Sequence, residues 1–281
     1  MDPALRLDES IPELGRTATY PFSYGYSLVG MVTDEGPHEG ESLMGKKVLV
    51  FHPHQDRIIV DRSRATILDD DLDSAMATLI PNAETAASLV LDGAPLLGER
   101  VGVLGLGVVG RIALDLLARF PLEALDAVDP SPFRRRLAER LAEGRSAFMT
   151  ADNLPRGDYD LLFELSGNPA ALAAAIGAAG YDGRVVVGSW YGNKPVSLDL
   201  GTDFHRKRLR LYGSQVSTIA PALRGRWTAD RRMGLALSWC RRASARDWVS
   251  HRIPFSACRT AYELLLDPAA EYAHIVLSME D

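Results

Sequence analysis

The sequence predicts an α/β protein built on a doubly wound parallel sheet, flanked along the chain by two smaller β-rich segments. Three observations predict it. Between about residues 82 and 216, strand-length apolar runs alternate with helix-length apolar periodicity, which is how parallel strands joined by crossover helices are written. One strand-to-helix junction in that stretch carries a glycine-rich turn. The 281 residues, 47% of them hydrophobic, suffice for one large core or two ordinary ones.

The elements follow in order. Residues 24–32, 47–51 and 57–60 are β-branched and aromatic runs punctuated by Gly and Pro, and read as short strands. Next come a strand at 101–104, a helix at 111–120, a strand at 124–128 and a helix at 133–142. A strand at 159–165, an Ala-rich helix at 169–179 and a strand at 184–188 complete the alternation. From about residue 217 the pattern turns mixed, with helices expected at 229–241 and 257–265 and a closing strand at 273–277. There is no internal repeat or low-complexity linker, and Arg224, Arg226, Arg231, Arg232, Arg241 and Arg242 are expected on a solvated helical face.

Composition removes several partners. Lys and Arg number 31 against 37 Asp and Glu, a formal net charge of -6, so no whole-protein positive field exists to collect nucleic acid or anionic lipid. Two cysteines, Cys240 and Cys258, are too few for a disulfide framework and wrongly spaced for a zinc knuckle, which fits a reducing cytoplasm. The start of the chain, residues 1–6, lacks a basic segment followed by an apolar one, and no apolar run reaches membrane-spanning length. A soluble, unexported, cytoplasmic protein is expected.

The strongest signal is Gly105-Leu106-Gly107-Val108-Val109-Gly110, directly after a buried-type strand and opening a helix. The first glycine permits the tight turn, the second lets the backbone approach a pyrophosphate, and the third lets helix and strand pack closely. The helix N-terminus then offers free N–H groups and a positive dipole end to the phosphates, with Val108 and Val109 at its head. Asp129, 19 residues after Gly110 at the end of a strand, supplies the second half of a dinucleotide fingerprint by accepting hydrogen bonds from an adenosine ribose. That carboxylate argues for NAD, because a 2′-phosphate beside it would set two negative groups together. Arg134, Arg135 and Arg136 lie just downstream, and any of them, Arg134 first in sequence, could instead reach the 2′-phosphate of NADP.

With these features the chain resembles the medium-chain dehydrogenase/reductase superfamily, in which a Rossmann domain splits a GroES-like catalytic domain. Residues 25–32, Gly-Tyr-Ser-Leu-Val-Gly-Met-Val, stand where that family writes Gly-His-Glu-x-x-Gly-x-Val, and Gly45-Lys46-Lys47-Val48 looks like its Gly-Asp-x-Val strand. Glu164-Leu165-Ser166-Gly167-Asn168 resembles the loop after its fourth Rossmann strand, and residues 182–188 follow its next turn-and-strand pattern. Within the superfamily, Phe51-His52-Pro53-His54-Gln55, Phe204-His205-Arg206 and Gly213-Ser214-Gln215-Val216-Ser217 look most like the group containing bacteriochlorophyllide a dehydrogenase. The resemblance implies a GroES-like domain over 1–81 and 217–281, shortened at its N-terminus, around a Rossmann domain over 82–216.

It also removes that family's usual Lewis acid. Tyr26 and Ser27 replace the His and Glu of Gly-His-Glu, and no cysteine precedes the glycine loop, so no metal is expected. Without zinc, alcohol oxidation or ketone reduction still needs a donor to the developing alkoxide. Tyr26 stands in place of the lost histidine. His52 falls where relatives place a pocket side chain, and His54, two residues on, would face the same side of an extended strand. Glu84 is held in reserve, either as an acid or as a complement to a helix N-terminus. By position in the resembled fold, Thr85 contacts the nicotinamide ring, Leu165 and Ser166 pass the adenosine side, and Gly188 and Ser189 the nicotinamide side. Gln215 or Val216 would offer backbone groups to the carboxamide. His205 with Arg206 is a lesser pocket candidate, whereas His251 and His274 read as structural.

The leading expectation is a zinc-independent NAD(P)-dependent oxidoreductase interconverting a secondary alcohol and a ketone on a small or bulky metabolite, as a homodimer paired through an edge strand near residues 209–212. Two alternatives stand beside it: a nucleotide-binding protein without turnover, and a lyase or epimerase with tightly bound NAD.

Overall fold

Residues 23–141, 148–149, 154, 157–192, 194–267 and 269–279 are described in a computed structural model; the start of the chain at 1–6 and Ala142, which ends one expected helix, lie outside them. The chain divides into two units, Met1–Pro81 with Leu237–Asp281, and Asn82–Ala236. In the first unit β1 (Leu28–Met31), β2 (Lys47–Val50) and β3 (Thr66–Ile67) form an antiparallel sheet in chain order. All four residues of β2 are buried, Lys47 included, because its Nζ donates to the carbonyls of Asp70 at 2.9 Å and Leu72 at 2.5 Å. The strand expected at 57–60 does not form. Asp56 Oδ1 accepts the Arg57 N–H at 2.8 Å, and Ile59 is fully exposed, so this run has no face to bury. α1 (Ser74–Ala77) follows, capped by Asp73.

α2 (Ile80–Gly93) leads into the second unit. There the chain alternates through β4 (Arg100–Leu104), α3 (Val108–Leu117), β5 (Ala124–Val128), α4 (Pro132–Glu139), β6 (Phe148–Met149), β7 (Tyr159–Glu164), α5 (Pro169–Ala178), β8 (Ala179–Val187) and β9 (Arg210–Gly213). The six strands lie in the order β6-β5-β4-β7-β8-β9 with every neighbouring pair parallel. The chain thus builds outward on one side from β4 to β6 and then returns to start the other side at β7. The crevice outside the carboxyl ends of β4 and β7 is the topological switch point where such sheets bind ligands. β8 begins at Ala179 rather than 184, because a register shift against β7 between Tyr159 and Leu161 absorbs the irregular stretch around Asp182, which has φ +58°.

Alternate strand residues feed two cores. Val101, Val103, Leu161, Phe163 and Val186 pack with α2 and α3, while Leu104, Leu162 and Val185 pack with the Ala-rich face of α5. The second unit boundary falls inside α6 (Ala229–Arg242), not at 216/217, since Arg232 is buried and bonded back to α2. Its expected place on a solvated face is therefore corrected. The chain closes in the first unit with α7 (Ala245–Trp248), β10 (His251–Pro254), α8 (Cys258–Leu266) and β11 (Ile275–Ser278), β10 and β11 pairing in parallel. Trp239 and Trp248 pack edge to face at 4.7 Å there. Among the described residues no helix is long and apolar enough to cross a membrane.

Candidate functional site

β4 ends in a turn whose three glycines differ sharply in their surroundings. Gly105 has φ +100°, and a Cβ there would lie 2.6 Å from the Ser166 nitrogen and 2.7 Å from the Leu165 carbonyl. The loop leaving β7 is therefore seated directly on the turn, fastened by the Leu165 N–H to the Leu104 carbonyl at 2.7 Å. A Cβ on Gly110 would be 1.9 Å from the Gly105 oxygen, so helix and turn touch backbone to backbone. Gly107 is the opposite case: nothing lies within 4 Å of its would-be Cβ, and it caps α3 without any side-chain bond. Val108, Val109 and Gly110 follow as the first helical residues, where N–H groups have no intrahelical acceptor. The result is an open cradle with a donor-rich floor.

Asp129, at the end of β5, is almost fully buried at 2% exposure. Its Oδ2 accepts the Leu106 N–H at 2.8 Å and its Oδ1 accepts the Ser131 N–H at 2.8 Å. The carboxylate thus ties the glycine turn to the next loop, and each oxygen keeps a further lone pair. The Arg134 Nη1 stands 3.8 Å from Oδ2, while Arg135 Nη1 donates to the carbonyls of Asp129 at 2.6 Å and Pro130 at 3.0 Å. Arg136 lies over the Phe133 ring at 5.9 Å. The three arginines so split into one carboxylate partner, one carbonyl clamp and one ring contact. Sequence reasoning passed over Arg111, whose guanidinium is buried in α3; burial, with Arg134 nearby, pushes it down to about 10.

The ends of β7 and β8 are linked by Glu164, which is fully buried. Its Oε1 accepts the Ser166 N–H at 2.8 Å and the Ser166 hydroxyl, and its Oε2 accepts the Tyr191 hydroxyl at 2.6 Å. Burial, and then this carboxylate, push the Tyr191 phenol well above its ordinary range. The Gly167 N–H donates to Ser189 Oγ at 2.8 Å, whose own hydroxyl donates to the Glu164 carbonyl at 3.2 Å. A Cβ on Gly188 would strike Leu89 at 2.4 Å and Leu165 at 2.6 Å, so α2 comes close at this point. Leu165, Ser166, Gly188 and Ser189 are thereby one connected group. Tyr191, three residues past the matched turn-and-strand, was missed because only the fold brings it onto Glu164. Gln215 is exposed beyond β9, and its Oε1 accepts the Ser217 N–H at 2.6 Å.

Glu84 neither caps a helix start nor stands free as an acid, because it lies in the second turn of α2 and is nine-tenths buried against Arg232. Nε and Nη2 of that arginine donate to Glu84 Oε1 at 3.1 and 3.0 Å. Burial raises the carboxyl above its ordinary range and Arg232 opposes the rise. Thr85, next to it, is half-buried.

In the first unit, Tyr26 is 40% exposed. The extended strand expected to carry His52 and His54 ends at Val50, so the two histidines share no strand face and sit in a loop. Both are half-buried; His52 Nδ1 is 2.9 Å from the Pro53 carbonyl, and the His54 N–H donates to the Tyr24 carbonyl at 2.7 Å. Gly25 has φ +97° and a Cβ there would lie 2.2 Å from the His54 ring, so the turn leading to Tyr26 rests on that imidazole, and burial pushes its pKa down. Ser27 Oγ donates to the Thr78 carbonyl at 2.9 Å. His274 Nε2 meets the Thr78 hydroxyl at 3.0 Å across 196 positions of chain, His251 meets its neighbour Ser250 at 2.9 Å, and His205 and Arg206 are exposed. Among the described residues no three His, Cys, Asp or Glu side chains gather as a metal-ligand set.

No family model matches the chain. Over 151 residues it is 29% identical to L-threonine 3-dehydrogenase of Bacillus velezensis, a match covering 51% of this chain and 43% of that enzyme; the matched stretch thus spans less than half the relative's length. The structure is similar to 2R,3R-butanediol dehydrogenase from Bacillus subtilis, with a TM-score of 0.73 at 19% identity, covering 92% of this chain and 81% of that one. It is also similar to an Escherichia coli CFT073 alcohol dehydrogenase solved with NADH, with a TM-score of 0.74 at 16% identity, covering 94% and 86% of the two chains. A Rossmann-type parallel sheet with shorter β segments before and after it in the chain, matched over nine-tenths of the chain, is the fold that this protein shares with these two dehydrogenase structures.

Proposed function

We propose that the chain is an NAD(P)-dependent oxidoreductase, with NAD preferred, that interconverts a secondary alcohol and a ketone without zinc. The observation that carries this is the open Gly107 position at the head of α3, with Asp129 bonded to the same turn. The N–H groups of Val108, Val109 and Gly110 receive the pyrophosphate. The remaining lone pairs of Asp129 take the ribose hydroxyls, with Arg134 kept close to that carboxylate rather than turned to a 2′-phosphate. The cofactor, when bound, accepts or delivers the hydride. Thr85, Leu165, Ser166, Gly188, Ser189 and Gln215 line its remaining length. Tyr26 or His52 donates the proton to the substrate oxygen, and His54, kept neutral by burial, supports the turn that carries Tyr26. The substrate is a small or bulky metabolite, and the chain stands nearest the bacteriochlorophyllide a dehydrogenase group in this reading. The thiols Cys240 and Cys258, both unbridged, support a reducing, cytoplasmic setting. A homodimer completes the proposal.

Titration with NADH and NADPH tests the cofactor: Asp129→Ala is expected to weaken NADH about tenfold, the worth of hydrogen bonds to a charged group, and to leave NADPH less affected. NADPH bound as tightly as NADH by the unaltered protein would reverse the preference. Tyr26→Phe or His52→Ala, whichever removes the donor, is expected to lower kcat by about 10²-fold with NADH affinity kept. Full turnover in both variants would place the acid elsewhere.

A further inference from the structure

Helix α2 carries Glu84, Ser88 and Asp92 at four-residue spacing, a polar stripe along one face of the helix. Glu84 and Ser88 are buried, and the whole stripe is answered by the chain that leaves β9 and by Arg232 of α6. Arg232 donates to Glu84 from two nitrogens, from Nη1 to Ser88 Oγ at 3.4 Å and the Thr218 carbonyl at 3.3 Å, and from Nη2 to the Val216 carbonyl at 2.5 Å. Asp92 accepts the Ser214 hydroxyl at 2.6 Å, and its carbonyl accepts the Tyr212 hydroxyl at 3.1 Å. Through Arg232 and Asp92 the stripe is thus bonded to Tyr212, Ser214, Val216 and Thr218.

A buried ion pair is a weak source of stability, since desolvation offsets most of its attraction, but it fixes position well. Arginine suits the task because its five donors are held in one rigid fork, enough for a carboxylate, a hydroxyl and two carbonyls at once. The place that it fixes is specific. β9 runs parallel to β8, so residues 214–218 leave the sheet at the same carboxyl edge as the glycine turn after β4 and the loops after β7 and β8. A dinucleotide held by its pyrophosphate on α3 and its ribose beside β5 extends its other half across the switch point, toward β7, β8 and β9.

We infer that the Glu84–Arg232 pair is a positioning clamp that sets residues 214–218 against the nicotinamide half of the cofactor; this rests on the nucleotide binding proposed above. Glu84 and Arg232 are then positioning residues, acting through the carbonyls of Val216 and Thr218.

The test compares NADH with ADP-ribose, which keeps the adenosine, pyrophosphate and second ribose but lacks the nicotinamide ring. Dissociation constants are measured on the full chain for R232K, R232M and the double variant E84Q/R232M, in which no buried charge is left unpaired. NADH is expected to weaken about tenfold in R232M and in the double variant, and less in R232K, while ADP-ribose stays within about twofold, which also reports that each variant is folded. Equal changes for the two ligands, whether none or loss of both, would overturn the clamp and make the pair plain structural support. An unaltered protein that binds both ligands keeps the nucleotide proposal standing in that event; one that binds neither overturns both.

Discussion

Gly107 and Gly110, three residues apart in one turn, are expected to fail in opposite ways when given the same methyl group. At Gly110 the added Cβ would meet the Gly105 oxygen at 1.9 Å, and backbone must move. Overpacking of that kind costs about 1–3 kcal/mol, so Gly110→Ala is expected to melt earlier by several degrees. At Gly107 the backbone is extended with φ -61°, which alanine adopts freely, and no protein atom lies within 4 Å. Gly107→Ala is therefore expected to melt with the unaltered protein yet bind NADH at least about tenfold more weakly, because in the proposed binding mode the methyl takes the space of the pyrophosphate. Thermal melts and NADH titrations on the two variants check this. Undiminished NADH affinity in Gly107→Ala would show that the cradle is not where the phosphates sit.

At the scale of elements, α2 carries an apolar helix's burial together with the polar stripe, and Asp92 bears a cost for it. Burial outweighs its bond to Ser214 and the pull of Arg232, so its pKa is raised above the ordinary 3.8. A carboxyl whose folded pKa is raised binds its proton more readily folded than unfolded, so its contribution to stability is lost as pH rises through that folded pKa. Asp92→Asn keeps an acceptor for Ser214 without the charge, and is expected to melt slightly above the unaltered protein at pH 7.5, the gain shrinking as pH falls toward 4. A gain that grew on acidification would reverse the sign. The same helix shows what the sequence could and could not convey. The alternation of strands and helices, the glycine turn and the end of β5 at Asp129 are local patterns, and they appear in the fold within a few residues. Arg232 reads locally as one more basic residue on a helix, and only the distance closed by the fold, 148 positions along the chain to Glu84, turns it into a buried partner. The histidines mislead for the reverse reason: continuing the strand at 47–51 past its end places His52 and His54 on one face, but β2 ends at Val50, Pro53 lies between the two, and the Asp56 turn follows.

At the scale of the molecule, β9 is an edge strand of the parallel sheet, with β8 on one side and no strand on the other among the described residues. An open edge presents a row of unpaired N–H and C=O groups, and its safest resolution is pairing with the same edge of an identical chain about a two-fold axis. Both faces of β9 are already used, Leu211 toward one core and Tyr212 toward the other, so association here leaves side-chain packing intact and proceeds through main-chain bonds alone. Each copy carries a formal charge of -6, and the mutual repulsion is screened by salt. The mass by light scattering at about 10 µM, well above the range of a specific dimer, is therefore expected to be twice 30.6 kDa, and to hold or rise with added salt. Amide exchange at 210–213 should slow as concentration increases, while exchange at the opposite edge, β6, does not change. A mass of 30.6 kDa at that concentration, with exchange at β9 independent of dilution, would show that the edge is not a pairing surface.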